Sequence, residues 1–490
     1  MPTLEAGVPT LEDGSPLSRA VQSMNLWIGV GTCGSIGLAL VGTSLGAIPR
    51  PGDDRWWFEL GTGGSTLAHV AFYLSVAVLI AGWVGVGLHA RAGRLSVSRA
   101  WVILALWGLP LLIGPPLFSR DIYSYIGQGL LAHHGLNPYS VAPSALGNGP
   151  LLASIASVWR HTASPYGPLF VTASRGAAAI SGGSVVAQVM VSRMMELIGV
   201  VLIMVSLPRL ARRLGADPGL ALWLGALSPL ALFSFIASGH NDALMVGLLL
   251  AGVTLATGGR LAVGLSLCAL AATIKLPAAA AIVFIAVDQF RRASGPGRRR
   301  VLLEAVFVPV LVVAVVTVAS GLGWTWLGPS ALRVPTELKV LSTPAVSLGA
   351  FFHSVLHGLG IPVARSTVVS ATQLVCALVA VAGTVWLVAN AHRLDVVRLL
   401  GLALLLIVVG SPTLWPWYLM WGLAVLAATP AQRSKALAAV AGLAMLAVGP
   451  GGAPMLEGGA YFVVAPLVLA ACIWMVRDRH WRTVVSGYAV

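Results

Sequence analysis

SRDIYSYIGQGLLAHHGLNPY, residues 119–139, decides how this chain is read. It sets an acid, three tyrosines, paired histidines and Asn-Pro in one short segment between apolar runs. Treated as a helix, it places Ile122, Tyr125, Ile126, Gly129, Leu130 and His133 on one apolar stripe, with Ser124 and Gln128 elsewhere on the wheel. Gly135 is suited to stopping that helix, and Asn137-Pro138 then imposes an extended turn. The stripe predicts an interfacial helix lying on the outer membrane face. Asp121 falls just before its first turn, where Asp is a favoured N-cap.

Composition sets the frame around this segment. The chain has 490 residues, 57% of them hydrophobic and 9% charged, with a mean hydropathy of +0.89. A soluble domain is about a quarter charged. Apolar runs of ~18 residues or more recur along the length, each a membrane-spanning helix by this measure. The expected fold class is therefore an all-α polytopic membrane protein: one transmembrane domain over 25–490 behind a cytoplasmic tail, 1–24. That tail carries Arg19 with Glu5, Glu12 and Asp13 and has no signal-peptide basic region. A pI near 10.5 raises nucleic acid as a partner, but the charge is scattered through short loops, so the positive-inside rule explains it and no nucleic acid is expected. Cys33, Cys268, Cys376 and Cys472 lie far apart in apolar segments and form no disulfide or metal framework. No cofactor and no metal are expected.

Basic clusters mark the cytoplasmic side: Arg91/Arg94/Arg99, Arg209/Arg212/Arg213, Arg260, Arg291/Arg292 with Arg298–Arg300, Arg393/Arg398, Arg433/Lys435 and Arg477/Arg479/Arg482. Alternation then puts 49–65, 118–165, 238–242, 321–365, 412–416 and 450–459 on the outer face, with both termini inside. Two places break the count. The segment 166–182 holds Pro168, Arg175 and Gly182-Gly183 and reads as interfacial, leaving 184–207 to cross. Between Arg260 and Arg291 the run is interrupted by TIKLP (273–277), so a broken or re-entrant helix pair is expected with Lys275 at its tip. Irregular backbone at that depth survives only where protein or a wet cavity surrounds it, which makes the break a site candidate.

The pattern D-x-x-x-Y from Asp121 to Tyr125, then Leu130-Leu131 and G-x-N-P-Y at 135–139, resembles the outer-loop signature of the C-type glycosyltransferases, membrane enzymes that use polyprenyl-phosphate sugars. SPYGP (164–168), SGHNDALM (238–245), KLP (275–277) and PTLWPWYL (412–419) extend the likeness. Together they look like the actinobacterial polyprenol-phosphomannose-dependent α-1,6-mannosyltransferases of the lipomannan pathway. The resemblance covers about 119–419. It implies a bundle of about 12–14 transmembrane helices, each of spanning length, with interfacial outer-face helices and the loops 118–165 and 321–365 covering an outer-face site in the plasma membrane. It also implies a polyprenyl-phosphate-mannose donor, a mannan or glycolipid acceptor, and inversion from a β-mannosyl phosphate to an α-1,6 link. In that superfamily an outer-face acid is the catalytic base, which here falls on Asp121. Asp53-Asp54, between the first two spans, is a rival pair, although the adjacent Arg55 and Trp56-Trp57-Phe58 also suit an interfacial anchor.

The chemistry needs one base to take the proton of a sugar hydroxyl and one cation to neutralise a leaving phosphate. Charge counting puts Asp217, Asp288, Glu304, Asp395 and Asp478 on the cytoplasmic side with the tail acids. Asp53, Asp54, Glu59, Asp121, Glu196, Asp242, Glu337 and Glu457 remain. Glu196 is expected to pair with Arg193, three residues before it. Asp242, in GHND, is either the second acid or half of a capping pair with Asn241. Lys275 is the candidate cation, since a lone lysine at membrane depth is costly and tends to be functional; snorkelling is the alternative. Arg120 is a possible helper at the phosphate. Candidate substrate contacts are Tyr125, Asn137, Tyr139, Tyr166, His240, Asn241, Asp242, His353, His357, Trp417 and Tyr418. His353 and His357 share a helix face but lack the third ligand and glutamate of a zinc site, and the tryptophans also suit an aromatic belt. Two other readings stay open: a C-type transferase for another sugar such as arabinose, and a secondary transporter or lipid flippase, which broken helices and intramembrane charges also fit.

Overall fold

A computed structural model describes residues 23–48, 65–328, 343–391 and 395–452, and these fold into helices with no sheet among them. Asp53, Asp54, Glu59, Glu337 and Glu457 lie outside the described residues. Helices of eight residues or more are numbered in chain order. The first group is α1 (Met24–Leu45), α2 (Thr66–Arg91), α3 (Val97–Ile113), α4 (Asp121–His133), α5 (Pro168–Ile180) and α6 (Val185–Arg213). Next come α7 (Pro218–Gly225), α8 (Pro229–Ala237, its last six residues a π-helix), α9 (Asp242–Thr257), α10 (Leu261–Ala272), α11 (Ala279–Arg292) and α12 (Pro296–Ser320). The last are α13 (Pro344–Gly358), α14 (Arg365–Ala389), α15 (Val396–Gly410), α16 (Met420–Ala427) and α17 (Gln432–Ala441).

Five of these, α1, α2, α6, α12 and α14, are long and apolar enough to cross a membrane, and α7 with α8, bent by 48°, meet the same measure only as a pair, as a broken span or a re-entrant loop. The protein is a multi-pass membrane protein. Apolar α3, α9, α10 and α15 are shorter, because polar, irregular segments interrupt the bundle at 114–120, 238–241, 273–278 and 411–415. Those four interruptions converge on one place. Exposed faces of α12 (Phe307, Leu311, Val318) and α14 (Leu378, Val381, Val385) carry large apolar side chains, as a lipid-facing surface requires.

Apolar helices gain nothing from leaving lipid for each other, so close approach of small residues drives their packing. Gly34 of α1 lies directly on the Leu79 backbone of α2, and Gly199 of α6 lies on the Ala243 carbonyl of α9. The second contact sets the entry of α9 beside α6. Glu196, one turn before Gly199, accepts a hydrogen bond from the Leu244 N–H at 3.2 Å and so caps α9 from a neighbouring helix. The expected Glu196–Arg193 pair does not form. Arg193 instead donates to the carbonyls of Leu112, Gly114 and Ala237, groups left without helical partners where α3 and α8 end. Each charge serves a backbone break, since an orphan carbonyl or N–H at this depth has no water to turn to.

The opening segment forms its helix where expected, and Gly135 ends it at φ +77° with the Leu136 N–H donating to the Leu131 carbonyl. It does not lie on a surface. Every residue from Asp121 to Gly129 is buried, Ser124 and Gln128 included, because α5 and α6 and the loop 143–160 enclose it. Gly129 makes this possible: a Cβ there would overlap the Ser174 carbonyl of α5. The expected crossing of 184–207 is α6, and α5 stays short and packs on α4.

Candidate active site

The backbone delivers Asp121 through a strained turn. Phe118 has φ +61°, the only positive value at a non-glycine among the described residues, a conformation that costs on the order of 1–3 kcal/mol and persists only when its surroundings enforce it. Here they do. The Phe118 N–H donates to the Pro450 carbonyl, its ring stacks on Phe233 at 4.6 Å, and the Leu117 N–H donates to the Ala237 carbonyl. Ser119 Oγ then accepts from the Asp121 N–H at 3.1 Å.

Asp121 is the first helical residue of α4, and its side chain caps nothing. One oxygen, Oδ1, accepts from the indole N–H of Trp159 at 2.8 Å, and Oδ2 stands 3.7 Å from Nδ1 of His240. The side chain keeps about a tenth of its surface open. Burial raises the carboxyl from its ordinary value to about 6, against the Trp159 hydrogen bond and the Lys275 charge, which lower it. His240 is wholly buried between partners. Its Nδ1 lies 3.3 Å from the Tyr125 hydroxyl, and its ring stacks on Trp417 at 3.9 Å. Burial, then the Lys275 charge, hold this imidazole well below its usual pKa, so it is neutral.

Two residues on, Asp242 opens α9 with the second carboxylate. Lys275 Nζ donates to both of its oxygens at 2.8 Å, and the Trp421 N–H donates to Oδ1 at 2.5 Å. Lys275 occupies the break between α10 and α11, in extended backbone. Its ammonium also lies 4.6 Å from the centre of the Tyr418 ring and 5.4 Å from that of Tyr166. The break itself is pinned by the SPYGP run: the N–H groups of Gly167 and Leu169 donate to the carbonyls of Ile274 and Thr273. At about 1.5 Å per residue neither α10 nor α11 reaches across a bilayer. The pair is the broken element that TIKLP predicts, and Lys275 is buried against an acid rather than snorkelling to a headgroup.

Asp121, Tyr125, Tyr166, His240, Asp242, Lys275, Trp417 and Tyr418 thus meet in one cluster. Asn241 sits between His240 and Asp242, fully buried, with neither end of its carboxamide hydrogen-bonded among the described residues. Other candidates have different tasks. The guanidinium of Arg120 donates to the carbonyls of Ile48 and Ser154. Asn137 shapes its own turn, accepting from the Tyr139 N–H, and donates to the Leu322 carbonyl; Tyr139 is buried with its hydroxyl unpaired. His353 and His357 stack on each other on α13, which packs chiefly on α14 and α15. Trp417 is stacked by both His240 and Trp415. Two residues escaped the sequence reading, Trp159 and Trp421, the indoles that hold the two carboxylates. Trp421 follows Trp417 by one helical turn, a usable signal; Trp159 carries none. Among the described residues no group of three or more His, Cys, Asp or Glu side chains could hold a metal ion.

Known proteins share this chain's pattern. The model of the alpha-(1->6)-mannopyranosyltransferase family, N-terminal domain, matches residues 28–291, and that of the MptB C-terminal domain matches 344–478. The chain belongs to the alpha-(1->6)-mannopyranosyltransferase family. It is 33% identical over 438 residues to alpha-(1->6)-mannopyranosyltransferase A of Mycobacterium tuberculosis, covering 86% of this chain and 83% of the relative. A second alpha-(1->6)-mannopyranosyltransferase of that organism is 33% identical over 402 residues, 70% of this chain and 67% of the relative. Alpha-(1->6)-mannopyranosyltransferase B of Corynebacterium glutamicum is 28% identical over 435 residues, 81% of this chain and 72% of the relative. No solved structure gives a match of comparable strength. Membership makes the protein a membrane glycosyltransferase, and Asp121, His240, Asp242 and Lys275 lie within the stretch that the N-terminal model matches.

Proposed function

We propose that this enzyme moves mannose from a polyprenyl-phosphate-mannose lipid to a mannan or glycolipid acceptor, forming an α-1,6 link with inversion. The reaction takes place at the outer face of the plasma membrane, and both termini are cytoplasmic. The observation that carries this reading is the pairing of unlike carboxylates across His240. Asp121 keeps about a tenth of its side chain open and has no cation bonded to it among the described residues, whereas Asp242 is held by Lys275 and Trp421. Asp121 is the base and Lys275 the phosphate ligand.

The acceptor hydroxyl oxygen attacks the anomeric carbon as that carbon's bond to the phosphate oxygen breaks. Asp121 takes the hydroxyl proton, and the polyprenyl phosphate leaves as an anion. A positioned carboxylate base contributes typically 10²–10⁴-fold. Lys275 has three N–H groups and spends two on Asp242, so one remains for a donor phosphate oxygen. The fixed Asp242–Lys275 pair holds that N–H in place before the charge develops, and no reorganisation is then paid at the moment of reaction. Asn241, with both ends of its carboxamide unclaimed, suits the sugar hydroxyls. Helix polarity supports the sidedness. The turns bearing Arg91–Arg99, Arg212/Arg213, Arg260 and Arg291–Arg300 lie at the helix ends opposite the cluster.

Purified enzyme supplied with polyprenyl-phosphomannose should release polyprenyl phosphate only when an α-1,6-dimannoside is added, and should yield an α-1,6-linked trimannoside. Release without acceptor, or transfer from an arabinosyl lipid in preference, would overturn the reading.

A further inference from the structure

We infer that Trp159 is a positioning residue for the catalytic step: its indole N–H holds Oδ1 of Asp121 and leaves Oδ2, on the His240 side, to receive the acceptor's proton. This rests on the proposal that Asp121 is the base. Indole has a single N–H and no acceptor, so its bond to Oδ1 has one polarity and one direction. The contact is 2.8 Å long, and Trp159 is 3% exposed. Trp159 lies in the short helix Ser157–Arg160, part of the loop that encloses α4 and not of any membrane-spanning helix. Two other polar side chains of this loop bond its own backbone. Arg160 donates to the carbonyls of Ile155 and Ala153, and Ser154 Oγ to the carbonyl of Pro150. The indole is the group from this loop bonded to the acid.

Every other titratable or charged group facing Asp121 comes from elsewhere. His240, neutral, stands at Oδ2 from the turn before α9, with Asp242 and Lys275 behind it. The Tyr125 hydroxyl, from α4 itself, bonds His240. Tyr166, ahead of α5, packs edge-on against Tyr125, and Tyr418 lies beneath the Lys275 ammonium. Arg193 of α6 and Arg120 each donate to backbone carbonyls. The Trp159 N–H is therefore the stronger of two side-chain hydrogen bonds that steady the ionised carboxylate, Ser119 giving the weaker. Without it, a buried carboxylate oxygen loses its donor and the acid holds its proton to higher pH.

Trp159→Phe keeps most of the ring and removes the N–H. The acid limb of the kcat/KM profile should move upward by about 1–2 pH units, since a hydrogen bond to a charged group is worth about that much. Transfer at pH 7 should fall several-fold and recover towards the native rate at high pH. Replacing Trp159 with 3-benzothienylalanine, which puts sulfur where the N–H was, should give the same shift with the packing intact and covers the case in which Phe fails to fold. An unmoved profile in the benzothienyl enzyme, with Asp121→Asn inactive, would overturn the role of Trp159 and leave the base in place. An active Asp121→Asn enzyme would overturn the base itself.

Discussion

Lys275 and Asp242 separate a structural from a catalytic role most sharply. Nζ lies 2.8 Å from each carboxylate oxygen, and both side chains are buried. At an effective dielectric near 20, one unit-charge contact at this distance is worth about 6 kcal/mol before desolvation is counted. Removing one partner strands the other: Lys275→Met leaves an anion with only the Trp421 N–H, and Asp242→Asn leaves a buried ammonium. Each single change should cost roughly 3–5 kcal/mol of stability. The double variant Lys275→Met with Asp242→Asn strands neither charge, and Asn still offers Trp421 an acceptor, so most of that loss should return. Activity should not return with it. If Lys275 neutralises the donor phosphate, the double variant stays down by on the order of 10²-fold or more. Thermal unfolding in detergent reads the first quantity, and acceptor-dependent release of polyprenyl phosphate reads the second. A double variant that regains both would reduce Lys275 to the counter-ion of Asp242 and refute the reasoning.

Three further outcomes follow from the same geometry. Asp121→Asn should lower transfer by on the order of 10²-fold or more, and the native enzyme should lose activity as pH falls through about 6. The sign for stability is opposite. A carboxyl raised from 3.8 to about 6 is favoured in its protonated form, so its ionisation costs about 3 kcal/mol above that pH; Asp121→Asn should raise the melting temperature at pH 8 and leave it unchanged at pH 4. A Cβ at Gly167 would overlap the Thr273 carbonyl, whereas one at Gly176 meets nothing within 4 Å. Gly167→Ala should therefore displace the Lys275 break and cut activity more than tenfold, an on-the-order loss for a misplaced contact, while Gly176→Ala is silent. Cysteines placed at Ser144 and Ser294 test sidedness with an impermeant thiol reagent: the first should label in intact cells and the second should not, and the reverse would invert the topology.

The sequence was most legible where it broke its own pattern. A lysine beside a proline inside an apolar run announced the 273–278 break, and Gly135 announced the end of α4, because each is a local conflict with a local cause. Helix α4 misled in its surroundings. Its apolar stripe is real, but Gly127, Ser124 and Gly129 let neighbours close over the other faces too, which a wheel cannot reveal. Arg193 and Glu196 misled for a related reason. Their spacing allows a pair, yet the ends of three other elements offered unsatisfied backbone groups, and in lipid those take precedence. Tryptophan was the least legible. In an apolar chain it is first an interfacial residue, and nothing near Trp159 says that its N–H reaches an acid 38 positions earlier in the chain.

The two carboxylates are proposed to take different parts although their settings are alike. Asp121 and Asp242 each begin a helix, each accept one tryptophan N–H, and each lie beside His240 in space or sequence. What separates them is the cation. Lys275 gives Asp242 two charge-assisted hydrogen bonds, so that carboxylate is committed to the lysine. Asp121 receives none from a cation, only the neutral His240 at 3.7 Å, and burial lifts its proton affinity into the range where a base works near neutral pH. Exchanging the two environments would exchange the roles. The proposed assignment of base and phosphate ligand therefore rests on one lysine, placed by one broken helix, more than on the acids themselves.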